Sequence, residues 1–393
     1  MTTIPAVNPT HQPWLDRVES LRDTILAHAD ATETNGTLAQ PVVAALRDAG
    51  LFTLKVPREL GGAEADPMLQ MAVIEALSYI HPATGWCAMI GNGSNGLAAG
   101  YLPDAGIAQI FAHGQVPIMA SSFFPAATAK VQEGGYLING RWRFGSGIRH
   151  TDWVLAGAIV VREDDQDSAP SDKLPEVIQV AFPTAAATIH DNWQVIGLKG
   201  TGSCDFSLHN HFVPTALTYQ QNGIVAPQRG GPLYRLAIPA FLALEHIGFA
   251  LGVARRALDE LMTMATTKRG QYRTNSLAER SVVHRFVGEY DLKLRAARAL
   301  AFQLYEEIWH RLTTDQPVAA NHQLQSRALA TYTTDLACGI ATQAFRYGGG
   351  GALFQPNILE LLLRDSNAAA QHIMVTDVTY EAYGKELMGF SDC

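Results

Sequence analysis

An α+β chain in three successive segments, helical, then β, then helical, is the fold class that this sequence predicts. Apolar residues recur at three-to-four spacing up to about residue 113, alternate with a period of two from about 115 to 219, and return to helical spacing from about 232. With 393 residues, 47% hydrophobic and 17% charged, the chain is long and apolar enough to bury two or three cores. The segments are placed at 1–114, 115–225 and 226–393.

In the first segment Val42, Val43, Leu46 and Leu51 form one stripe, and Met68, Met71, Ala72, Glu75 and Ala76 form another. Between them, Pro57 and Gly61-Gly62 are poor helix interiors and interrupt the pattern. In the second segment, Tyr136 to Phe144 and Trp153 to Val161 alternate as strands, with turns expected at Gly134-Gly135 and Asn139-Gly140. Such alternation reads as a β-barrel or a sandwich. The acidic, Ser- and Pro-rich run from Arg162 to Pro175 reads as a surface loop. Four long amphipathic stretches follow, Ile238 to Met264, Leu277 to Leu312, Asn321 to Tyr347 and Asn357 to Tyr383, which suggest a four-helix bundle.

The formal net charge of −8 and a pI near 5.9 argue against a general nucleic-acid or anionic-membrane surface and suit a small neutral or hydrophobic ligand. Cys87, Cys204, Cys338 and Cys393 form no CxxC pair and have no metal-ligand spacing, so they read as reduced thiols and no metal site is expected. His209 and His211 share one strand face, but no third ligand stands near them. No Gly-x-Ser-x-Gly elbow, Walker loop or strand-linked Gly-x-Gly-x-x-Gly is present, which leaves hydrolase, NTPase and nicotinamide readings without support. Met1 to Pro13 lacks a basic stretch followed by an apolar one, and a soluble cytoplasmic protein is the expectation.

Local motifs make the order of segments specific. Leu46-Arg-Asp-Ala-Gly-Leu-Phe52 with Val56-Pro-Arg-Glu-Leu-Gly-Gly62 resembles the N-terminal signature of acyl-CoA dehydrogenase-like proteins. Gly140-Arg-Trp-Arg-Phe-Gly-Ser-Gly147, Trp193-Gln-Val-Ile-Gly-Leu-Lys-Gly-Thr-Gly-Ser203, Arg364-Asp365 through His372, and Tyr380-Glu-Ala-Tyr-Gly384 resemble the group D flavin-dependent monooxygenases built on that fold. The resemblance spans nearly the whole chain. It implies an N-terminal helical domain, a central β-barrel and a C-terminal four-helix bundle, assembled as a homotetramer. It also implies reduced flavin (FAD or FMN) supplied by a separate reductase, and dioxygen as co-substrate. In that family dioxygen adds at flavin C4a, and the distal oxygen of the hydroperoxide passes to an aromatic or heteroaromatic substrate of phenol, indole or polycyclic type.

In dehydrogenases of this fold a catalytic glutamate commonly sits about two helical turns beyond the Arg-Asp pair. Here that place carries His372 and Ile373. An imidazole suits proton exchange with a peroxide or phenol near neutral pH, whereas a histidine among thirteen in a helical protein is ordinarily a satisfied core residue. The resemblance puts His372 in the pocket as a catalytic and substrate-facing group, on a helix whose Ala368 and Ala369 leave room beside it. It puts Ser146 beside the flavin N5, where a hydroxyl can donate and accept; taken alone, Gly-Ser-Gly is more often a turn.

Ser122, Phe123 and Phe144 fall where relatives lay strands against the isoalloxazine, against a plain reading as β-core. Arg269 and Gly348, Gly349 and Gly350 resemble the grip on pyrophosphate and adenine, although a glycine run is equally a flexible loop. Trp86, Ser94 and Asn95 fall on the inner substrate wall, against core packing or helix capping. Two other functions compete: an acyl-CoA dehydrogenase with a displaced base, for which Glu245 lies near the alternative glutamate position, and a non-catalytic flavin or ligand carrier.

Overall fold

The computed structural model describes residues 9–112, 114–162, 174–222, 225–267 and 276–390. Arg269 and residues 163–173 of the expected surface loop lie outside the described residues.

Among the described residues seven α-helices come first: α1 (Gln12–Ser20), α2 (Arg22–Ala27), α3 (Ala29–Asn35), α4 (Gln40–Asp48), α5 (Pro67–Ile80), α6 (Pro82–Tyr101) and α7 (Asp104–Ile110). The stripe of Val42, Val43 and Leu46 is buried on α4, as the helical period requires. Asp66 caps α5 by accepting from the Leu69 amide at 2.9 Å, and Pro67 occupies the first turn, where its missing N–H costs nothing. α6 is buried along nearly its whole length and carries Trp86, Ser94 and Asn95 into the interior.

The strands are β1 (Met119–Gln132), β2 (Gly135–Gly145), β3 (Trp153–Val161), β4 (Val177–Pro183), β5 (Thr188–Ile189), β6 (Cys204–Pro214) and β7 (Thr218–Gln220). They form one sheet in the order β5-β6-β2-β1-β3-β4-β7, antiparallel throughout except for β1 against β3. The sheet is strongly curled: Phe182 on β4 meets Phe206 on β6, with ring centroids 6.4 Å apart, although three strands separate them in the ladder. Trp142 stacks on Phe206 inside this curl at 5.2 Å.

The Gly134-Gly135 turn is present, but Asn139-Gly140 is not a turn. It lies in mid-β2, where the pairing with β6 slips between Ile138 and Gly140. A Cβ on Gly140 would come within 2.3 Å of the Ala127 Cβ, so this glycine serves close strand approach rather than chain reversal.

The remaining helices are α8 (Ile238–Thr267), α9 (Ser281–Thr313), α10 (Ala320–Gly348), α11 (Ile358–Ala369) and α12 (Val378–Leu387). α8 packs against both α5 and α10 and joins the two helical layers. It is long and apolar enough to cross a membrane by length and composition, yet 78% of its most apolar window is buried inside the protein. The fourth stretch, expected to be continuous from Asn357 to Tyr383, is broken between Ala369 and Val378. Buried side chains from helices and sheet form one continuous core.

Candidate active site

Trp86 is the hub of the candidate site. Its side chain is 5% exposed, and its Nε1–H donates to Ser146 Oγ at 3.1 Å. On the helical side its ring meets three others nearly at right angles: His246 at 5.6 Å, Phe249 at 5.1 Å and His372 at 5.6 Å between centroids. His246 and His372 are 4.6 Å apart. Elements far apart in sequence, α6, α8, the end of β2 and the segment after α11, thus converge on one indole.

Ser146 sits one residue beyond β2, in the turn that a Gly-Ser-Gly run favours. His372 is not on a helix but in the break after α11. Its amide donates to the Ala369 carbonyl at 3.1 Å, and its Nδ1 accepts from the Met374 amide at 3.3 Å. An accepting Nδ1 puts the proton of the neutral ring on Nε2. Burial pushes the His372 pKa down to about 4. Burial, then His372 and Lys55, hold His246 well below the ordinary range. Both imidazoles are therefore neutral at pH 7.

Behind Ser146 runs a chain of hydroxyls. Ser146 Oγ is 2.7 Å from Ser203 Oγ, Ser203 Oγ is 2.7 Å from Thr201 Oγ1, and Thr201 Oγ1 donates to the Leu198 carbonyl at 2.7 Å. Trp193 Nε1–H donates to the same carbonyl at 3.0 Å. Arg364 and Asp365 hold this loop: Arg364 Nη1 donates to the Ile196 carbonyl at 2.8 Å, and Asp365 Oδ1 accepts from the Leu198 amide at 2.6 Å. Burial, with the Glu33 carboxylate nearby, pushes Asp365 up to about 8. The Arg-Asp pair positions the loop that carries Thr201 and Ser203.

Around the mouth of this chain lies exposed apolar surface. Phe144 is 64% exposed, takes the left-handed backbone conformation at φ +63°, and stands edge-on to Trp193 at 6.3 Å. Ile196, in the loop held by Arg364, is also exposed. Ser122 and Phe123 are half-buried on β1, where pairing with β3 is interrupted between Ser122 and Ala127. Counted from the Ala127–Gly140 pair, Phe123 and Phe144 lie towards the same end of the sheet. Gly348 ends α10 and is buried; Gly349 and Gly350 begin an exposed 3-10 turn.

Two predicted substrate residues face inward structural partners. Asn95 Nδ2 donates to the Phe52 and Pro117 carbonyls at 2.9 and 2.8 Å, and Ser94 Oγ donates to Ile90 O at 2.7 Å and lies 2.8 Å from Ser121 Oγ. Both lie in mid-α6, not at a cap. Glu245 is fully buried against Lys55, with Nζ to Oε2 at 3.4 Å, and burial pushes its carboxyl up to about 7. Thr201 and Ser203 stand inside the Trp193 to Ser203 motif, whereas His246 and Phe249 carry no local sequence signal.

Two sequence families match the chain: acyl-CoA dehydrogenase, N-terminal domain, over residues 8–106, and acyl-CoA dehydrogenase, C-terminal domain, over residues 244–377. Together they take in more than half of the sequence, and the chain belongs to the acyl-CoA dehydrogenase superfamily. Within it, the chain is similar to flavin-dependent oxygenases. Indole-3-acetate monooxygenase of Pseudomonas putida is 29% identical over 352 residues, 90% of this chain and 87% of that protein. The oxygenase component of FADH2-dependent resorcinol hydroxylase from Rhizobium sp. is 26% identical over an alignment of 404 positions, covering 98% and 96%. XiaF from Streptomyces sp., solved in complex with FADH2 and glycerol, shares the fold with a TM-score of 0.87 at 23% identity, covering 97% and 96%.

Proposed function

We propose that this chain is the oxygenase component of a two-component flavin-dependent monooxygenase, acting on a small aromatic or heteroaromatic compound. The observation that carries this reading is the meeting of one hydroxyl and two neutral imidazoles on the Trp86 ring. Acyl-CoA dehydrogenation needs a carboxylate base, and the nearby carboxylate of Glu245 is turned to Lys55. The oxygenase relatives supply independent support.

The residues present fit a flavin ring. Phe144 offers an exposed aromatic face held in a strained backbone conformation, beside the turn that carries Ser146. Phe144, Ser122, Phe123 and Ser146 would hold the ring, and Gly348, Gly349 and Gly350 the distal phosphates. The reduced flavin, FAD or FMN, when bound supplies activation of dioxygen and delivery of one oxygen atom. The chain's own residues orient and protect. Trp86, Phe249 and His246 form an aromatic wall that excludes water, and His372 Nε2–H is a hydrogen-bond donor for a substrate held against it.

This reading requires a separate flavin reductase. It places subunit contacts on the helical faces, and exposed Val282, Leu292 and Leu300 on α9 with Val378, Tyr380 and Leu387 on α12 support a homotetramer.

The test is to mix the anaerobic protein and reduced FAD or FMN with isotopically heavy dioxygen and a panel of phenols and indoles. A product carrying one heavy oxygen, formed only with protein and reduced flavin together, is expected. Bleaching of oxidised flavin by an acyl-CoA, with no oxygenated product from the panel, would overturn the reading in favour of a dehydrogenase.

A further inference from the structure

Hydrogen bonds in the hydroxyl chain can run in only one direction. The Leu198 carbonyl accepts and cannot donate, so Thr201 must spend its single O–H proton there. Thr201 Oγ1 then accepts from Ser203, which has spent its own proton, so Ser203 accepts from Ser146. Ser146 is left with its proton committed away from Trp86 and one lone pair occupied by the indole N–H. What remains is a lone pair. Ser146, read in isolation as a group that donates and accepts, is here an acceptor only.

Flavin changes its hydrogen-bonding character with its redox state. The reduced ring carries N5–H, a donor, whereas oxidised N5 offers only a lone pair. An acceptor fixed beside that atom gains a hydrogen bond from the first and meets electron repulsion with the second. Resting on the reading that flavin lies at Ser146, we infer that Thr201 and Ser203 are positioning residues that lock the Ser146 hydroxyl as an acceptor, so that the site selects reduced over oxidised flavin. The anchoring is firm because Leu198 is itself held at both ends, through its amide by Asp365 and through its carbonyl by Trp193. Thr201 is fully buried and Ser203 is 3% exposed, which leaves little room for solvent to reverse the chain.

The device predicts an affinity ratio. A buried acceptor left unpaired costs enough for the discrimination to be about tenfold to a hundredfold. Ser203→Ala frees the Ser146 proton to turn outward. Thr201→Val goes further, because Ser203 then has no acceptor behind it and can donate to Ser146, reversing the direction. Both variants should bind oxidised flavin more tightly and bring the ratio towards one. Thr201→Ser keeps the hydroxyl and should keep the ratio.

The measurement is equilibrium affinity for FMN and FAD, oxidised or reduced anaerobically with dithionite, in the wild type and the three variants, with circular dichroism reporting the fold. A wild-type ratio near tenfold or above that collapses in either Ser203→Ala or Thr201→Val and survives in Thr201→Ser supports the proposal. Equal affinity of the wild type for the two redox states overturns it, as does an unchanged ratio in folded Ser203→Ala or Thr201→Val. Failure of the wild type to bind flavin in either state would sink the flavin reading itself. Turnover enters none of these outcomes.

Discussion

His372 and His246 show how one residue type can be legible at one position and hidden at another. His372 follows Arg364-Asp365 at a spacing where a dehydrogenase carries glutamate, so the motif singled it out. His246 sits in Leu242-Ala-Leu-Glu-His-Ile247, an apolar helical run in which a histidine reads as core, and only the tertiary fold brings its ring to 4.6 Å from His372. With both rings neutral and Nδ1 of His372 engaged by the Met374 amide, His372 is suited to donate a hydrogen bond from Nε2–H, while His246 adds a wall and a polar handle. His372→Ala should lower oxygenated product per reduced flavin consumed by on the order of 10²–10³-fold, with hydrogen peroxide rising in its place and flavin affinity nearly unchanged. Product yield against peroxide released is the check, and wild-type coupling in the variant would remove His372 from the oxygen-transfer step. His246→Ala should mainly raise KM for the aromatic substrate, by about tenfold if one hydrogen bond and part of the wall are lost.

Sequence period and folded structure agree in some elements and part in others, for physical reasons. The period of two in sequence placed β2 and β3 to within a residue, although burial in the fold does not alternate: β2 is buried at Gly135, Ile138, Trp142 and Gly145, and β3 from Val154 to Ala158 without interruption. Periodicity could not foresee the break after α11. Ala368-Ala-Ala-Gln-His-Ile contains no Gly or Pro, and helix propensity favours continuation. The chain departs from the helix where the His372 ring packs against Trp86 and His246 and its Nδ1 takes the Met374 amide. Tertiary contact overrides propensity there. The loop from Trp193 to Ser203 depends on a similar contact. A Cβ on Gly197 would lie 2.1 Å from the Arg364 carbonyl oxygen, in rigid helix backbone. Gly197→Ala must push this loop off α11 and loosen the Leu198 anchor. A loss of about 2–4 kcal/mol is expected from the urea midpoint, together with reduced discrimination between flavin redox states. Wild-type stability in that variant would show that the loop yields easily.

Across the whole molecule, buried titratable groups set a pH response that no local motif announces. Burial pushes His81, His150 and His372 each down to about 4. The unfolded chain, with histidine near 6.5, binds more protons than the folded one between about pH 6.5 and 4. Their contribution to stability is therefore present above pH 6.5 and lost as pH falls through that window. Glu245, raised to about 7, and Asp365, raised to about 8, act with the opposite sign. They bind protons in the fold above the pH at which the unfolded chain does, and they soften the acid limb. Wild-type stability against pH thus reports a difference, and one histidine has to be isolated by substitution. His81 is the cleanest choice: it lies between α5 and α6 with Nδ1 3.0 Å from Thr84 Oγ1 and Nε2 buried without a partner. His81→Gln should reduce the fall in stability by about 1.4 kcal/mol per pH unit over that window. Denaturant midpoints at half-unit steps would measure it. Parallel curves for variant and wild type would mean that His81 is charged in the fold or that its pocket opens to water before the molecule unfolds.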